Sequence, residues 1–375
     1  MIDRQRIATF GIATTAVATV ALALWLKPWA SGPLVQQPEA GGGHRIDVVF
    51  AVDTTGSMGG LLDGAKRTVW SIASHIREVD KNADVHVGLV AYRDLGDVYV
   101  TKDYALTGDL DAVFAQLSTF QAEGGGDVPE DVDAALDDAV HKMAWRDGAK
   151  KMIFLVGDAP PASRGEVPTF EVSAKDAQDK GIMINTIRCG SASDTAEAWQ
   201  KIAMLGQGEF STIQQNGGVQ QIATPYDQKM AELSHTIDST AVIYGDAATR
   251  GAYEGKMAVQ AAAPTAVAAD RAAFYAKAPA KGGGRAKEDV VGGVASGTVA
   301  IESLDKDLLP ADLHGKSNDE LKAEISSRAK KRTEAQNELE KLSKDRAEYL
   351  KAHAKEAGEG FDVKVKETVE RELTK

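Results

Sequence analysis

A chain of 375 residues exceeds the usual length of one domain and predicts two or three units, the largest with room for a sizeable core. Its formal net charge of -12, with no dominant basic face, excludes nucleic acid as a partner and favours cations or basic partners. The single cysteine, Cys189, excludes an intramolecular disulfide framework, and its place after the apolar run 182–187 reads as a small core residue rather than a reactive thiol.

Residues 7–26 are twenty consecutive positions without a charge. At about 1.5 Å per residue they reach across the ~30 Å hydrocarbon core of a bilayer. Arg4 and Arg6 precede the run, Lys27 follows it, and no further Lys or Arg occurs until Arg45, which places the amino terminus in the cytoplasm and the body outside. Trp25 and Trp29 fit the outer interface. A cleaved signal peptide is the rival reading. The run is longer than the usual apolar core of such a peptide, and Pro28-Trp29-Ala30 is a poor small-x-small site, so an uncleaved anchor is expected. The Pro- and Gly-bearing stretch 30–43 then reads as a flexible tether.

From residue 44 the chain alternates strand and helix. Ile46 to Val52 is an apolar run that predicts a buried strand, and Leu61, Leu62, Ala65, Val69, Trp70, Ile72, Ala73 and Ile76 recur at helical spacing behind it. Val85 to Tyr92 predicts a second strand. Val98–Val100 with Tyr104–Leu106 predicts a third, and the short turn-rich link between them implies a hairpin and one antiparallel edge strand. Helices are predicted over 110–120, 131–144, 170–180, 194–205 and 218–237, and strands over 151–156, 182–188 and 209–213. Repeated β-α units of this kind predict an α/β fold, a doubly wound and mostly parallel sheet covered by helices on both faces. Residues 239–316 are rich in Ala and Gly and read as a connector. Ser317-Asn318-Asp319-Glu320 has the form of a capping box and opens a helix running to Ala357. Arg328, Arg332 and Arg346 fall in the apolar stripe of that helix. A two-stranded coiled coil would not bury them readily, so an antiparallel pair or a helix packed on the body is expected, with dimerisation through this helix as a secondary expectation.

Two apolar strands end in an acid, Asp53 and Asp158, and the loop Gly124-Gly125-Gly126-Asp127-Val128-Pro129-Glu130 supplies more oxygen ligands. Ligands in open α/β sheets bind beyond the carboxyl ends of the strands. Hard oxygens converging there from separate loops are what Mg²⁺ or Mn²⁺ demands, with Asp127 as the candidate from this loop, Glu130 second and Gly126 beside them. Asp53, Thr55 and Ser57 can face one point from a single tight turn; alternatively, Asp53 and the hydroxyls cap the following helix.

The run Asp53-Thr54-Thr55-Gly56-Ser57-Met58 after an apolar strand resembles the Asp-x-Ser-x-Ser motif of von Willebrand factor type A (VWA) domains, in a membrane-anchored form of the kind found in bacteria. The resemblance covers roughly residues 45–238. It implies a metal-ion-dependent adhesion site (MIDAS), with Asp53, Thr55 and Ser57 matching the first loop and Asp158 the last. The second loop departs from the family's commonest form, because the Gly-rich acidic stretch stands where a Thr is usual. The resemblance further implies a binding module rather than an enzyme, its partner being a protein or surface ligand that offers an acidic oxygen to the open metal position. An extra carboxylate in the second loop would hold the cation more tightly and leave it less positive charge for such a partner.

Hydrolase readings fare less well. A haloacid-dehalogenase-type phosphohydrolase usually carries a second Asp two residues after its nucleophile, where Thr55 stands, and another acid where Ala162 stands. Gly315-Lys316-Ser317 imitates the end of a phosphate loop, but Pro310 replaces the first glycine and helix capping explains it better. The expected organisation is a cytoplasmic tip and anchor over 1–29, a tether over 30–43, the α/β domain over 44–238, a connector over 239–316 and a helical tail over 317–375. An envelope scaffold acting through the tail, with a purely structural metal, is the alternative function.

Overall fold

A computed structural model describes residues 44–126, 128–162, 165–277, 285–353 and 359–374. The expected span at 7–26, the tether and Asp127 lie outside them, and among the described residues no helix is long and apolar enough to cross a membrane.

The α/β part runs β1 (Arg45–Asp53), a 3-10 turn (Gly56–Met58), α1 (Gly59–Val79), β2 (Asp84–Tyr92), β3 (Thr101–Thr107), α2 (Leu110–Thr119) and α3 (Val132–His141). It continues through β4 (Lys150–Gly157), α4 (Phe170–Asp179), β5 (Ile182–Cys189), α5 (Ser193–Leu205), β6 (Gln207–Ile213) and α6 (Asp227–Ser239). The sheet order is β3-β2-β1-β4-β5-β6, and every pairing is parallel except that of β2 with β3. β1 therefore lies inside the sheet, with all but its first residue buried.

Alternate residues of β1 feed two cores. Val48, Phe50 and Val52 meet Leu61, Leu62, Trp70 and Ile76 of α1 on one face, while Val49 and Ala51 meet Leu136 of α3 and Trp199 of α5 on the other. At the opposite end of the strand, buried Asp47 accepts from Arg146 N (2.8 Å) and Nε (2.7 Å), so this acid is structural.

Two elements differ from expectation. The third strand starts at Thr101, leaving Val98 87% exposed in the preceding loop. The helix expected over 218–237 begins only at Asp227, because Gly217 and Gly218 take positive φ (80° and 60°) and Pro225 disfavours helical geometry at Thr224. The Thr224 main-chain N and hydroxyl then donate to Asp227, at 2.9 and 2.8 Å.

The remainder folds onto this layer as α7 (Ala247–Ala261), α8 (Thr265–Ala276), α9 (Val290–Ser296), α10 (Asn318–Ala352) and α11 (Phe361–Thr374). The capping box at Ser317 is present, with Ser317 N donating to Glu320 Oε2 (2.7 Å) and Glu320 N to Ser317 Oγ (3.3 Å). α10 lies as a single helix on α6, α8 and α9 rather than in a coiled coil, and its in-stripe arginines explain why. Arg332 reaches Asp289 (2.5 Å), and Arg346 reaches Asp227 and Asp270 (both 2.7 Å). α8 is joined to α2 in the same way: buried Arg271 grips both oxygens of Asp111 (2.6 and 2.8 Å) and also meets Asp238 (2.7 Å). α11 packs on α1 and β6, its Phe361 ring 6.1 Å from Phe50.

Removing one partner of a buried pair strands the other's charge. Arg271→Met should therefore cost about 3–5 kcal/mol in urea unfolding. Lys344→Met, which breaks an exposed helical pair with Glu340, should leave the midpoint in place. Equal midpoints for the two variants would contradict the role given to Arg271.

Candidate metal centre

The winding of the sheet reverses between β1 and β4, and the carboxyl ends of those strands open a crevice there. Val52 pairs with Val156, so Asp53 lies beside Gly157 and Asp158 follows. Only glycine fits at 157: an added Cβ would stand 2.3 Å from Tyr92 Oη and 3.1 Å from Asp53 Cβ.

Asp53 is fully buried. Its Oδ1 accepts from Thr55 N (2.8 Å) and Thr55 Oγ1 (2.7 Å), and Thr55 Oγ1 lies 3.4 Å from Ser57 Oγ. The structure thus brings Asp53, Thr55 and Ser57 together in one turn. Capping does not account for it, since neither the 3-10 turn nor α1 has a side-chain cap. Asp53 Oδ2 finds no hydrogen-bond partner among the described residues.

The second loop, residues 121–130, is held against the first by Gly56 N donating to Gly124 O (3.2 Å) and Glu123 N to Thr54 O (3.1 Å). Gly125 takes φ +76°, and a Cβ there would stand 2.8 Å from Thr55 Cβ and 3.1 Å from Glu130 Oε1. Thr55 and Glu130 therefore flank the same glycine. Glu130 is only 3% exposed, and its Oε2 also finds no partner among the described residues. Its main chain is fixed to the segment after Asp158, with Glu130 N donating to Pro160 O (3.1 Å) and Ala162 N to Glu130 O (2.8 Å). Asp127, first choice from the sequence, lies outside the described residues, and Gly126 has open space around it. Of the loop's described acids, Glu130 is the one brought to the site. A sequence signal existed: Glu130 precedes Asp131, whose carboxylate caps α3 through Ala134 N (3.0 Å), so it had to sit where the loop enters the fold.

Asp158 Oδ2 accepts from Gln215 Nε2 (2.5 Å), which also lies 3.4 Å from Ser57 O. Gln215 belongs to the irregular segment after β6 and carries no motif, so sequence reasoning had no hold on it. The Asp158 main-chain O accepts from Thr195 Oγ1 (3.0 Å).

Burial pushes the Asp53 carboxyl up to about 7, with the charge of Asp158 adding to the rise and the Thr55 bonds and the Asp158 main chain opposing it. Burial likewise pushes Glu130 up to about 8, reinforced by repulsion from Asp53, Asp94, Asp97 and Asp158. Burial also raises the Cys189 thiol well above its ordinary value, which suits an inert core residue. Among the described residues no three His, Cys, Asp or Glu side chains form a ligating group by themselves. The oxygens here instead mix carboxylates with the hydroxyls of Thr55 and Ser57. Two buried carboxylate oxygens without partners among the described residues are costly to keep charged; a hard divalent cation would suit them, and Asp53, Thr55, Ser57 and Glu130 would hold it with Asp158 alongside.

Residues 47–225, just under half of the chain, match the family described as von Willebrand factor type A domain. The α/β part of this chain is thus a VWA-like domain with a helical C-terminal region. Over 117 residues the chain is 28% identical to the alpha-protein kinase vwkA of Dictyostelium discoideum, covering 31% of this chain and 18% of that protein. Over 116 residues it is 26% identical to a putative ariadne-like RING finger protein of Acanthamoeba polyphaga mimivirus, covering 31% of this chain and 11% of that one. The matched stretch therefore spans less than a fifth of either relative. Among solved structures, the hypothetical protein BatB of Bacteroides thetaiotaomicron is 17% identical with a TM-score of 0.34, covering 45% of this chain and 90% of that one.

Both raised carboxyls bind protons in the folded protein at pH values where the unfolded chain has released them. In the metal-free protein their contribution to stability should therefore fall as pH rises from about 4 to about 8, with Asp133, raised to about 6, adding to the lower half of that window. Urea midpoints measured in EDTA across this range should decline, and Asp53→Asn with Glu130→Gln should flatten the decline. A slope unchanged by the pair of substitutions would show that the two carboxyls are not its source.

Proposed function

We propose that this chain is a divalent-cation-dependent binding module without catalysis of its own, displayed outside the cytoplasmic membrane by its amino-terminal segment. The pair of buried carboxylate oxygens without partners among the described residues, on Asp53 and Glu130 at the crevice between β1 and β4, carries this reading. Mg²⁺ or Mn²⁺ bound there by Asp53, Thr55, Ser57 and Glu130, with Asp158 alongside, would act as a Lewis acid whose remaining position accepts an oxygen from a partner. Thr55 and Ser57 contribute neutral oxygens and so limit the negative charge crowded around the ion. Asp53 orients Thr55 through Oδ1, leaving Oδ2 for the cation. The partner is a protein or surface ligand, and a carboxylate is the donor that a MIDAS implies.

A ligand that binds only the native state raises its stability. Mg²⁺ should raise the melting temperature of the native chain, and Asp53→Ala or Ser57→Ala should abolish the rise. A full rise in both variants would place the cation elsewhere. For display, carbonate-washed membranes should retain the protein, whereas recovery of a soluble body starting near residue 31 would rule out the anchor.

A further inference from the structure

The chain enters the sheet at the amino end of β1, and the crevice lies at the carboxyl end of the same strand. Nine residues at about 3.3 Å each put about 30 Å between the two poles. The entry pole is built from Arg45, the turn before β2, the start of β4 and the turn before β5. Strand pairing makes these neighbours: Arg45 lies opposite Asp84, Ile46 opposite Lys150, and Lys151 opposite Ile182.

Charge is sorted at this pole. Its acids are taken up in pairs, with Arg146 holding Asp47 (2.7 Å) and Asp84 (2.5 Å), His44 2.6 Å from Asp80, and Lys175 3.2 Å from Asp179. Arg45, Lys81, Lys150, Lys151 and Lys180 meet no carboxylate among the described residues; Arg45, Lys81 and Lys180 are exposed and the other two half-buried. Three of the five rest on main-chain oxygens instead: Arg45 Nη1 donates to Asp147 O (3.2 Å), Lys151 Nζ to Lys180 O (3.3 Å) and Lys180 Nζ to Val140 O (3.2 Å). A carbonyl orients a cation without cancelling its charge. Asp147, exposed beside Arg45, is the acid left to oppose them. The entry pole is therefore positive on a chain of net charge -12, whereas Asp53, Glu130 and Asp158 stand at the other pole.

We infer that the entry pole docks on the anionic lipid headgroups of the membrane in which the chain is anchored, which turns the crevice outward. This rests on the display proposed above and adds an orientation to it. Residues 30–43 join the uncharged run 7–26 to this pole. A tether of that length spans about 20 Å as a flexible chain and about 50 Å fully extended, so the five cations stay within reach of the surface. Each lysine or arginine near an anionic bilayer adds to the attraction, and salt screens it.

Lysine acetylation tests the assignment. The full-length protein is reconstituted into vesicles of phosphatidylcholine alone or with about one third phosphatidylglycerol, acetylated, and read by mass spectrometry. Lys81, Lys150 and Lys180 should react about fivefold more slowly on the anionic vesicles, and molar salt should remove the difference. Lys102, opposite Ala91 near the crevice pole, should react alike on both. Lys81→Gln with Lys180→Gln should return Lys150 toward its rate on neutral vesicles. Equal rates on the two vesicles, or equal slowing of Lys102, overturns the docking and leaves the anchor standing. Slowing by millimolar inorganic phosphate over neutral vesicles overturns it too, by making the pole a site for free anions. Flotation separates the two layers, since a chain that does not rise with neutral vesicles loses anchor and docking together.

Discussion

The constraint on which this molecule turns is the burial of β1 on both faces up to and including its terminal acid. A strand enclosed by β2, β4 and two helical layers has no water to offer a carboxylate at its end. Asp53 is nonetheless placed there, and only one of its oxygens is satisfied by the turn that follows. The first-loop hydroxyls and the second loop close around that one side chain, while the glycine at 157 also makes room for Tyr92. The cation proposed above would supply charge and coordination together at an oxygen that no described residue satisfies.

Burial raises the Asp53 and Glu130 carboxyls to about 7 and about 8, so a cation bound between them would have to displace protons. Preorganisation has a cost: the loops are fastened by main-chain hydrogen bonds before anything is bound, and the fastening holds like charges near one another. Extra carboxylates at such a site would hold a cation more tightly at the expense of its residual positive field.

Much of this is legible in the chain itself. The apolar runs ending in Asp53 and Asp158 identify neighbouring parallel strands, because only a doubly buried strand tolerates such sequences, and the Asp-x-Thr-x-Ser spacing places three side chains in one turn. The arginines in the stripe of α10 argue against a coiled coil before any fold is known, and each of Arg332 and Arg346 meets an aspartate. Glu130 is harder to rank against Asp127, because a Gly-rich loop has no periodicity from which to read direction. Gln215 is illegible, since its contact with Asp158 spans 57 residues and depends on where an irregular segment returns. The start of α6 is misplaced for a local reason, the left-handed glycines and Pro225 outweighing the helical spacing around them.

The span recognisable by similarity and the span that is electrically complete are different objects. Asp109 and Asp111 lie within 47–225, while their partners Lys256 and Arg271 lie beyond it. Phe361, near the far end of the chain, enters the core beneath β1, and its main-chain N donates to Gly217 O at 2.8 Å. In this chain the electrically complete unit is therefore longer than the span matched by similarity. The helices after β6 are part of what makes the sheet an insulated body, and an excised sheet would carry its acids without the cations that neutralise them.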